Sequence, residues 1–576
     1  MTYTKINFSL FSYIGASYPL AQNEFLRLIT ADCIDVIKSR LQPGETPEPG
    51  DVTKSVMEAI SLYVANFNAG AKATGTPRMK TISAPTASQL ADFIKAFNHP
   101  RAIKFTDKEI DGDTEIGLYQ QDGDKVGLYD TTPTTLNRLV RAYDYTADSK
   151  KIEEVRRNLV DILPRVQRTA EQNLVPVNNG IFDIKTKTLL PFSPDYVFTT
   201  KSRIDYNPHA KNIVIHNDED GTDWDVESWM EELFEDPAEL NAIWQIVGAV
   251  VRPNVKFNKC ALFYSESGNN GKGTLCQLMR NLCGEGAWAN ISIDNLAGEF
   301  NLEELIRVNA IITDENDVGV YLEKSANFKA IVTWDAIQIN RKFKTPISYQ
   351  FHGFMVQCLN EMPRVQDKSD SFNRRLIFIP FLKCFTGAER KYIKDDYLNR
   401  PEVLEYVLYK VLHMDYNSID VPATWENALE EYKENNNPIL RFAHEVLPQL
   451  QNDFVPFAFL LDLYRAWYEK ENGGQARTDN VRFKKEMREI IERDAVGEYW
   501  TATPKDKESA RATKAHSMDK PEPLITEYNL REWADPRYSA SKDDDKRATF
   551  APEAVSKTHR GALIRLKPYQ TEDETA

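Results

Sequence analysis

Lys259-Cys-Ala-Leu-Phe-Tyr-Ser-Glu-Ser-Gly-Asn-Asn-Gly-Lys-Gly-Thr-Leu275 is the stretch whose reading decides the fold. Residues 259–264 form a short apolar run that ends at turn-forming residues, the pattern of a buried strand. Residues 265–271 are rich in Ser, Gly and Asn, and the apolar spacing of residues 275–282 predicts a helix directly behind them. Strand, loop, lysine, hydroxyl and helix in this order make an anion cradle. Glycine lets backbone N–H groups turn inward, and the helix N-terminus adds positive potential. Gly268, Asn269, Asn270, Gly271, Lys272, Gly273 and Thr274 are therefore the candidate ATP-binding residues, with Lys272 reaching the β- and γ-phosphates. Two positions depart from the usual loop. Glu266 stands where a first glycine is expected, and Gly273 stands where Ser or Thr holds magnesium. Thr274, one step later, becomes the candidate hydroxyl ligand to Mg2+.

Further along, the apolar run 308–313 delivers Asp314-Glu315 at its end. An apolar strand carrying two carboxylates suits metal-assisted hydrolysis: Asp314 would hold Mg2+ and Glu315 would polarise the attacking water. A third buried run, 353–359, ends at Asn360, and Arg374-Arg375 precedes a fourth, 376–381. Short apolar strands alternating with helices from 257 to 384 predict an α/β sheet domain. Between the acidic pair and Asn360, residues 336–351 read as two strands around a basic-aromatic tip. That tip is made of Arg341, Lys342, Phe343 and Lys344, the local basic cluster that an acidic chain would need for any nucleic-acid contact.

Gly-Asn-Asn-Gly-Lys-Gly-Thr, Ile-Ile-Thr-Asp-Glu-Asn, Leu-Asn-Glu-Met-Pro-Arg and Arg-Arg-Leu-Ile-Phe-Ile-Pro-Phe, in that order, resemble superfamily 3 helicases. The resemblance is to the phage/plasmid and poxvirus primase-helicase family and covers roughly residues 105–490. It implies an AAA+-type P-loop ATPase core with a mixed α+β N-terminal region and a C-terminal winged-helix-like module. It also implies that Asn360 senses the γ-phosphate, and that Arg374 or Arg375 reaches a neighbouring subunit's ATP. Six subunits would form a ring around single-stranded DNA, travelling 3′-to-5′, with the 336–351 hairpins lining the channel; there Arg341, Lys342 and Lys344 would meet phosphates and Phe343 would stack on a base or sugar. Relatives often have Gly-Asp where this chain has Trp334-Asp335. A helix over residues 479–492 would carry Lys484 and Lys485, with Arg482 and Arg488, toward duplex DNA, although Glu486, Glu489 and Glu492 interleave them. The Gly-Lys-Gly-Thr order is also found in adenylate kinases, where the loop still binds phosphate.

The 576 residues exceed what one core usually holds, about 250–300. The expected division is 1–105, a helical region of unknown role; 106–224, a family-type collar; 225–425, the ATPase; 426–500, the winged-helix-like module; and 501–576, a charged, partly disordered tail. Residues 114–129 flank Asp122-Gly123 with apolar runs, a hairpin signal, and residues 197–200 read as a further strand. A net charge of −15 excludes a uniformly basic DNA-binding surface and confines nucleic-acid contact to local elements such as the hairpin. Six cysteines without a C-x-x-C pair suggest buried thiols in a reducing bacterial cytoplasm, and no zinc site. No leader or membrane span is expected. The partners expected are single-stranded, forked or origin DNA, further copies of the chain and host replication proteins. Asp111-Gly-Asp113 and Asp122-Gly-Asp124 carry the letters of a primase metal site in turn contexts, so a bifunctional primase-helicase is the weaker alternative. An ATP-switched origin binder and a small-molecule phosphotransferase are the other rivals. The first has no use for an intact Glu315, and the second no use for a basic hairpin.

Overall fold

The computed structural model describes residues 22–42, 44–74, 77–105, 114–298, 301–317, 321–322, 324–342, 346–361, 364–365, 370–386, 390–504, 509–513 and 516–569. Contacts divide the chain into two units, residues 1–367 with 374–426, and 368–373 with 427–576.

The first unit begins with helices α1 (Gln22–Lys38), α2 (Pro49–Thr74) and α3 (Ala87–Phe97). Thr86 starts α3 with a reciprocal capping box to Gln89, which satisfies two helix-end donors. Strands β1 (Pro100–Lys104), β2 (Thr114–Tyr119) and β3 (Tyr129–Asp130), helices α4 (Pro133–Tyr143) and α5 (Ser149–Ile162), and β4 (Arg165–Val166) follow. The sheet order is β3-β2-β1-β4. Phe25, Phe93, Leu118, Val140 and Leu159 belong to one shared core. The expected boundary at residue 105 therefore runs through a single folded layer, because β1 pairs along its full length with β2, Pro100 opposite Leu118. The 114–129 hairpin forms, but its second arm is only β3; residues 122–127 turn instead, and Gly127 (φ 82°) packs where a Cβ would strike Phe192.

Strands β5 (Leu174–Val177), β6 (Gly180–Asp183) and β7 (Thr188–Leu190) make an antiparallel meander, and β8 (Ile215–Asn217) pairs with β9 (Thr222–Trp224). Residues 197–200, expected as a strand, are not one. The Val197 and Phe198 carbonyls instead accept single bonds from the Thr169 and Tyr129 amides. Helices α6 (Val226–Leu233) and α7 (Pro237–Ala249) are separated by Asp236, which caps α7.

The central sheet comes next. Strand β10 (Cys260–Tyr264) leads to α8 (Lys272–Cys283), β11 (Trp288–Ala289), β12 (Ala310–Thr313) and β13 (Tyr321–Leu322). Helix α9 (Ala326–Val332) precedes the β14 (Ile337–Ile339)/β15 (Ile347–Tyr349) hairpin. Then come β16 (Phe354–Leu359), β17 (Arg364–Val365), α10 (Asp370–Asn373), β18 (Leu376–Pro380), α11 (Lys391–Asp395), α12 (Pro401–His413) and α13 (Ala423–Asn436), of which α10 and most of α13 belong to the second unit. The sheet order is β11-β12-β16-β10-β18 and every pairing is parallel. Every residue of β12 and β16 is buried, as expected of strands covered on both faces. This topology inserts β16 between β10 and β12, so Asn360 emerges between the glycine-rich loop and the acidic pair.

The second unit holds α14 (Pro438–Val446), β19 (Phe454–Pro456), α15 (Phe457–Asn472), α16 (Asn480–Arg493) and β20 (Trp500–Ala502). Two short strands, β21 (Ser509–Ala510) and β22 (His559–Arg560), pair with each other, and β23 (Ala562–Arg565) closes the unit. The sheet order is β19-β23-β20. The expected disordered tail is thus corrected over much of its length. β23 is the middle strand, and Phe550, Ala562 and Leu563 are buried in the same core as Phe442, Trp467 and Trp500.

Candidate phosphate site and its surroundings

The loop after β10 turns because two residues accept positive φ, Asn269 at 55° and Gly271 at 87°. At Gly271 a Cβ would lie 2.7 Å from Leu233 Cδ2, so glycine meets both the backbone and the packing requirement. Asn270 is buried and its amide donates to the Ser267 carbonyl, while the Asn269 carbonyl accepts the Phe385 amide at 2.8 Å. Gly268 is exposed, with open space around it. Asn269, Gly271 and Thr274 line a cavity of about 340 Å³ together with Trp229, Leu233 and Phe385.

Lys272 opens α8 and is buried. Its Nζ donates to Asn360 Oδ1 at 2.9 Å and to the Ser265 and Leu359 carbonyls, both at 3.1 Å. Burial lowers its pKa, and three oxygen acceptors hold the ammonium in place. The structure thus joins two residues singled out separately in the sequence, the loop lysine and the strand-end asparagine.

At the end of β12, Asp314 faces a cation that the sequence reading missed. Arg280, two turns along α8 from Lys272, binds both carboxylate oxygens, at 3.0 and 2.8 Å, and donates to the Ile312 carbonyl at 3.1 Å. Its guanidinium lies 4.6 Å from the centre of the Trp288 ring. The Arg280 hydrogen bonds hold the Asp314 carboxyl below the usual range, so it is ionised at neutral pH. Glu315 is exposed. Behind the acids, buried Asn316 donates to Gln357 Oε1 at 3.0 Å and to the Cys358 carbonyl at 2.9 Å, and accepts the Ile293 amide at 2.9 Å. This polar brace ties the loop after β12 to β16. Its sequence signal was its place directly after the acidic pair, as the last residue of the Ile-Ile-Thr-Asp-Glu-Asn motif. Among the described residues no cluster of three metal-ligating side chains occurs. Asp314 is an ionised carboxylate whose two oxygens both bind Arg280, and Thr274 lines the cavity beside the loop; a carboxylate and a hydroxyl are oxygen donors of the kind magnesium takes together with phosphate oxygens and water.

The two arginines before β18 separate clearly. Arg375 is buried and its carbonyl accepts the Cys260 amide at 2.8 Å, whereas Arg374 is exposed. In the β14/β15 hairpin, Lys342 is exposed, but Arg341 is buried with its guanidinium 4.0 Å from Glu115. Arg341 is therefore not offered at the hairpin surface as the sequence reading expected; a neighbouring carboxylate draws it inward. Phe343 and Lys344 lie outside the described residues. Trp334 adopts φ 54°, a backbone region that glycine enters freely, and stacks on His352 with ring centres 4.5 Å apart.

In the second unit, Lys485 is exposed and 3.9 Å from Glu489, Lys484 is half-buried, and Arg482 pairs with Glu486 at 2.7 Å. Arg488 is turned inward to the Thr503 carbonyl and the Phe457 ring. Asp122 and Asp124 are exposed turn residues, and Asp111 and Asp113 lie outside the described residues. Cys384 is exposed, and the other five cysteines are buried free thiols. Among the described residues no helix is long and apolar enough to cross a membrane.

Fold and site together define a mixed α/β protein whose parallel sheet presents a glycine-rich loop, a lysine, an asparagine and an acidic pair along one edge. Comparison with known families finds D5-like segments before and after that sheet in the sequence. Residues 104–235 match the model described as D5 N terminal like, and residues 434–522 match Poxvirus D5 protein-like. Residues 263–375, which span the site, match a family of unknown function (DUF5906). Solved structures of the NrS-1 C terminal region are also similar. One in the A form apo state has 14% identity and a TM-score of 0.37, covering 65% of this chain and 80% of that one. Another, of residues 305–718, has 12% identity and a TM-score of 0.37, covering 71% and 86%.

Proposed function

We propose that this chain is an ATP-driven DNA helicase of a phage or mobile element, acting in replication as a ring and moving 3′-to-5′ along single-stranded DNA. The observation that carries the reading is the hydrogen bond from Lys272 to Asn360, one strand away from Asp314 and Glu315 on the same sheet edge. A lysine for the β- and γ-phosphates, an amide for the γ-phosphate or its water, and an adjacent acidic pair are the parts that phosphoryl transfer to water requires.

In this reading Lys272 passes from its carbonyl acceptors to the phosphates as ATP enters. Asn360, released from the lysine, orients the attacking water, and exposed Glu315 takes its proton. Magnesium, held by Asp314 and Thr274, would neutralise phosphate charge. Arg280 keeps the Asp314 carboxylate ionised and aimed. Arg374, exposed where Arg375 is buried, is the residue available to reach ATP in a neighbouring subunit. Lys342, with Phe343 and Lys344, would grip single-stranded DNA. In the second unit, helices α14, α15 and α16 with the β19-β23-β20 sheet support the winged-helix reading, with Lys485 its most exposed candidate for DNA contact.

ATP hydrolysis measured with and without single-stranded DNA tests this reading. Stimulation by DNA is expected, with loss in Lys272→Ala. Arg374→Ala should lower turnover without weakening ATP binding to its own subunit, and Lys342→Ala should lower DNA stimulation alone. Phosphate transfer to a nucleoside monophosphate, without DNA stimulation, would overturn it.

A further inference from the structure

The residue after the loop lysine normally carries a hydroxyl, but Gly273 leaves that position bare. A Cβ built there would have one neighbour within 4 Å outside its own surroundings, Lys394 Nζ at 3.8 Å. Lys394 comes from α11, beyond β18, and lines the same cavity as Asn269, Gly271 and Thr274. Its side chain is exposed, and its ammonium has no hydrogen bond or ion pair with a described residue. Arg390 is tied to Glu232, and Lys383 to Glu235 at 2.6 Å, whereas Lys391, exposed and also lining the cavity, has no ion pair with a described residue; what sets Lys394 apart from Lys391 is its position beside Gly273. Lys394 also adds positive potential at Asp314. The bare glycine and an ammonium with no ion pair to a described residue therefore lie side by side at the phosphate loop.

We propose that Lys394 is a second phosphate-binding lysine, which contacts the β- or γ-phosphate of bound ATP from within the same subunit through the space Gly273 leaves open. This rests on the reading of residues 268–274 as a phosphate loop. An ammonium needs only a line of approach, not the fixed fork of an arginine, and an ion pair to phosphate is charge-assisted. Serine at 273 would set a hydroxyl in that approach, so the departure from the usual loop and the position of Lys394 form one arrangement.

The test is equilibrium binding of ATP and AMP to the full chain in EDTA, which removes hydrolysis and metal from the readout. Lys394→Gln should weaken ATP by about tenfold or more, the size of a lost charge-assisted hydrogen bond, and leave AMP, which lacks the β- and γ-phosphates, unchanged. Lys394→Arg should recover most of the loss. ATP affinity within twofold of the natural chain, or equal losses for ATP and AMP, would overturn the proposal. Lys272→Ala separates the two ideas. If it alone abolishes ATP binding, the phosphate loop stands and Lys394 has no part; if it too binds normally, the loop reading falls and takes the proposal with it.

Discussion

The parallel sheet of the first unit and the three-stranded sheet of the second both pair strands more than a hundred residues apart, Cys260 with Leu376 and Phe454 with Ile564. They differ in how much each strand announces itself. β10, β12, β16 and β18 are almost wholly buried and read as largely apolar runs, Gln357 in β16 being the one polar interruption within them. β20 is Trp-Thr-Ala and β23 is Ala-Leu-Ile-Arg, short segments set in polar sequence. A strand buried on both faces carries its own signal, whereas a short strand depends on partners that local sequence does not name.

The comparison can be broken most forcefully at the phosphate edge. Lys272→Ala is expected to reduce ATP hydrolysis by about 10²–10³-fold while the melting of the second unit, which has its own core, stays where it was. A parallel loss of both would mean that the lysine is structural. Next, removing residues 501–576 deletes β23, to which β19 and β20 both pair. Cooperative melting of the second unit should disappear; a spacer tail would leave it intact, and circular dichroism during heating tells the two apart.

Smaller effects sharpen the contrast. Asn316→Ala leaves Gln357 and two backbone groups without their partner and should destabilise the first unit by about 2–3 kcal/mol. Turnover should fall more than ATP affinity, because the brace positions the acids rather than the loop; equal falls would contradict that role. In the second unit, His444 lies between Asp494, at 2.8 Å, and Glu434, at 2.5 Å. The Asp494 hydrogen bond, aided by Glu434 and opposed by burial, raises its pKa from 6.5 to about 9. A raised histidine stabilises fully below its unfolded pKa and loses that contribution as pH climbs through the folded one. The second unit should therefore lose stability, by about 2 kcal/mol after allowing for solvent screening, between pH 6.5 and 9. His444→Gln should flatten that slope; an unchanged slope would assign it to other groups.

Much of the candidate site was legible because its chemistry constrains residue type. A phosphate cradle requires glycines and a lysine, and an acidic pair must end a strand, so residues 268–274, 314, 315 and 360 could each be named from sequence. What joins them could not. Arg280 sits on a helix whose apolar spacing says nothing about a carboxylate across the sheet edge, and Lys394 reaches the loop from beyond β18. The choice between Arg374 and Arg375 rests on burial, which adjacent identical residues conceal. Arg341 was misplaced for a related reason: a basic cluster looks uniformly exposed until Glu115, more than two hundred residues earlier, is seen beside it. The N-terminal boundary at 105 failed because β1 and β2 pair across it.

Strand displacement on a forked DNA duplex with ATP and magnesium tests the central claim most directly, comparing the natural chain with Lys272→Ala and with Lys342→Ala/Lys344→Ala. The natural chain should separate the strands and both variants should fail, the hairpin variant keeping its basal ATP hydrolysis. A natural chain that hydrolyses ATP yet never separates strands would contradict the claim that the sheet edge powers movement along DNA.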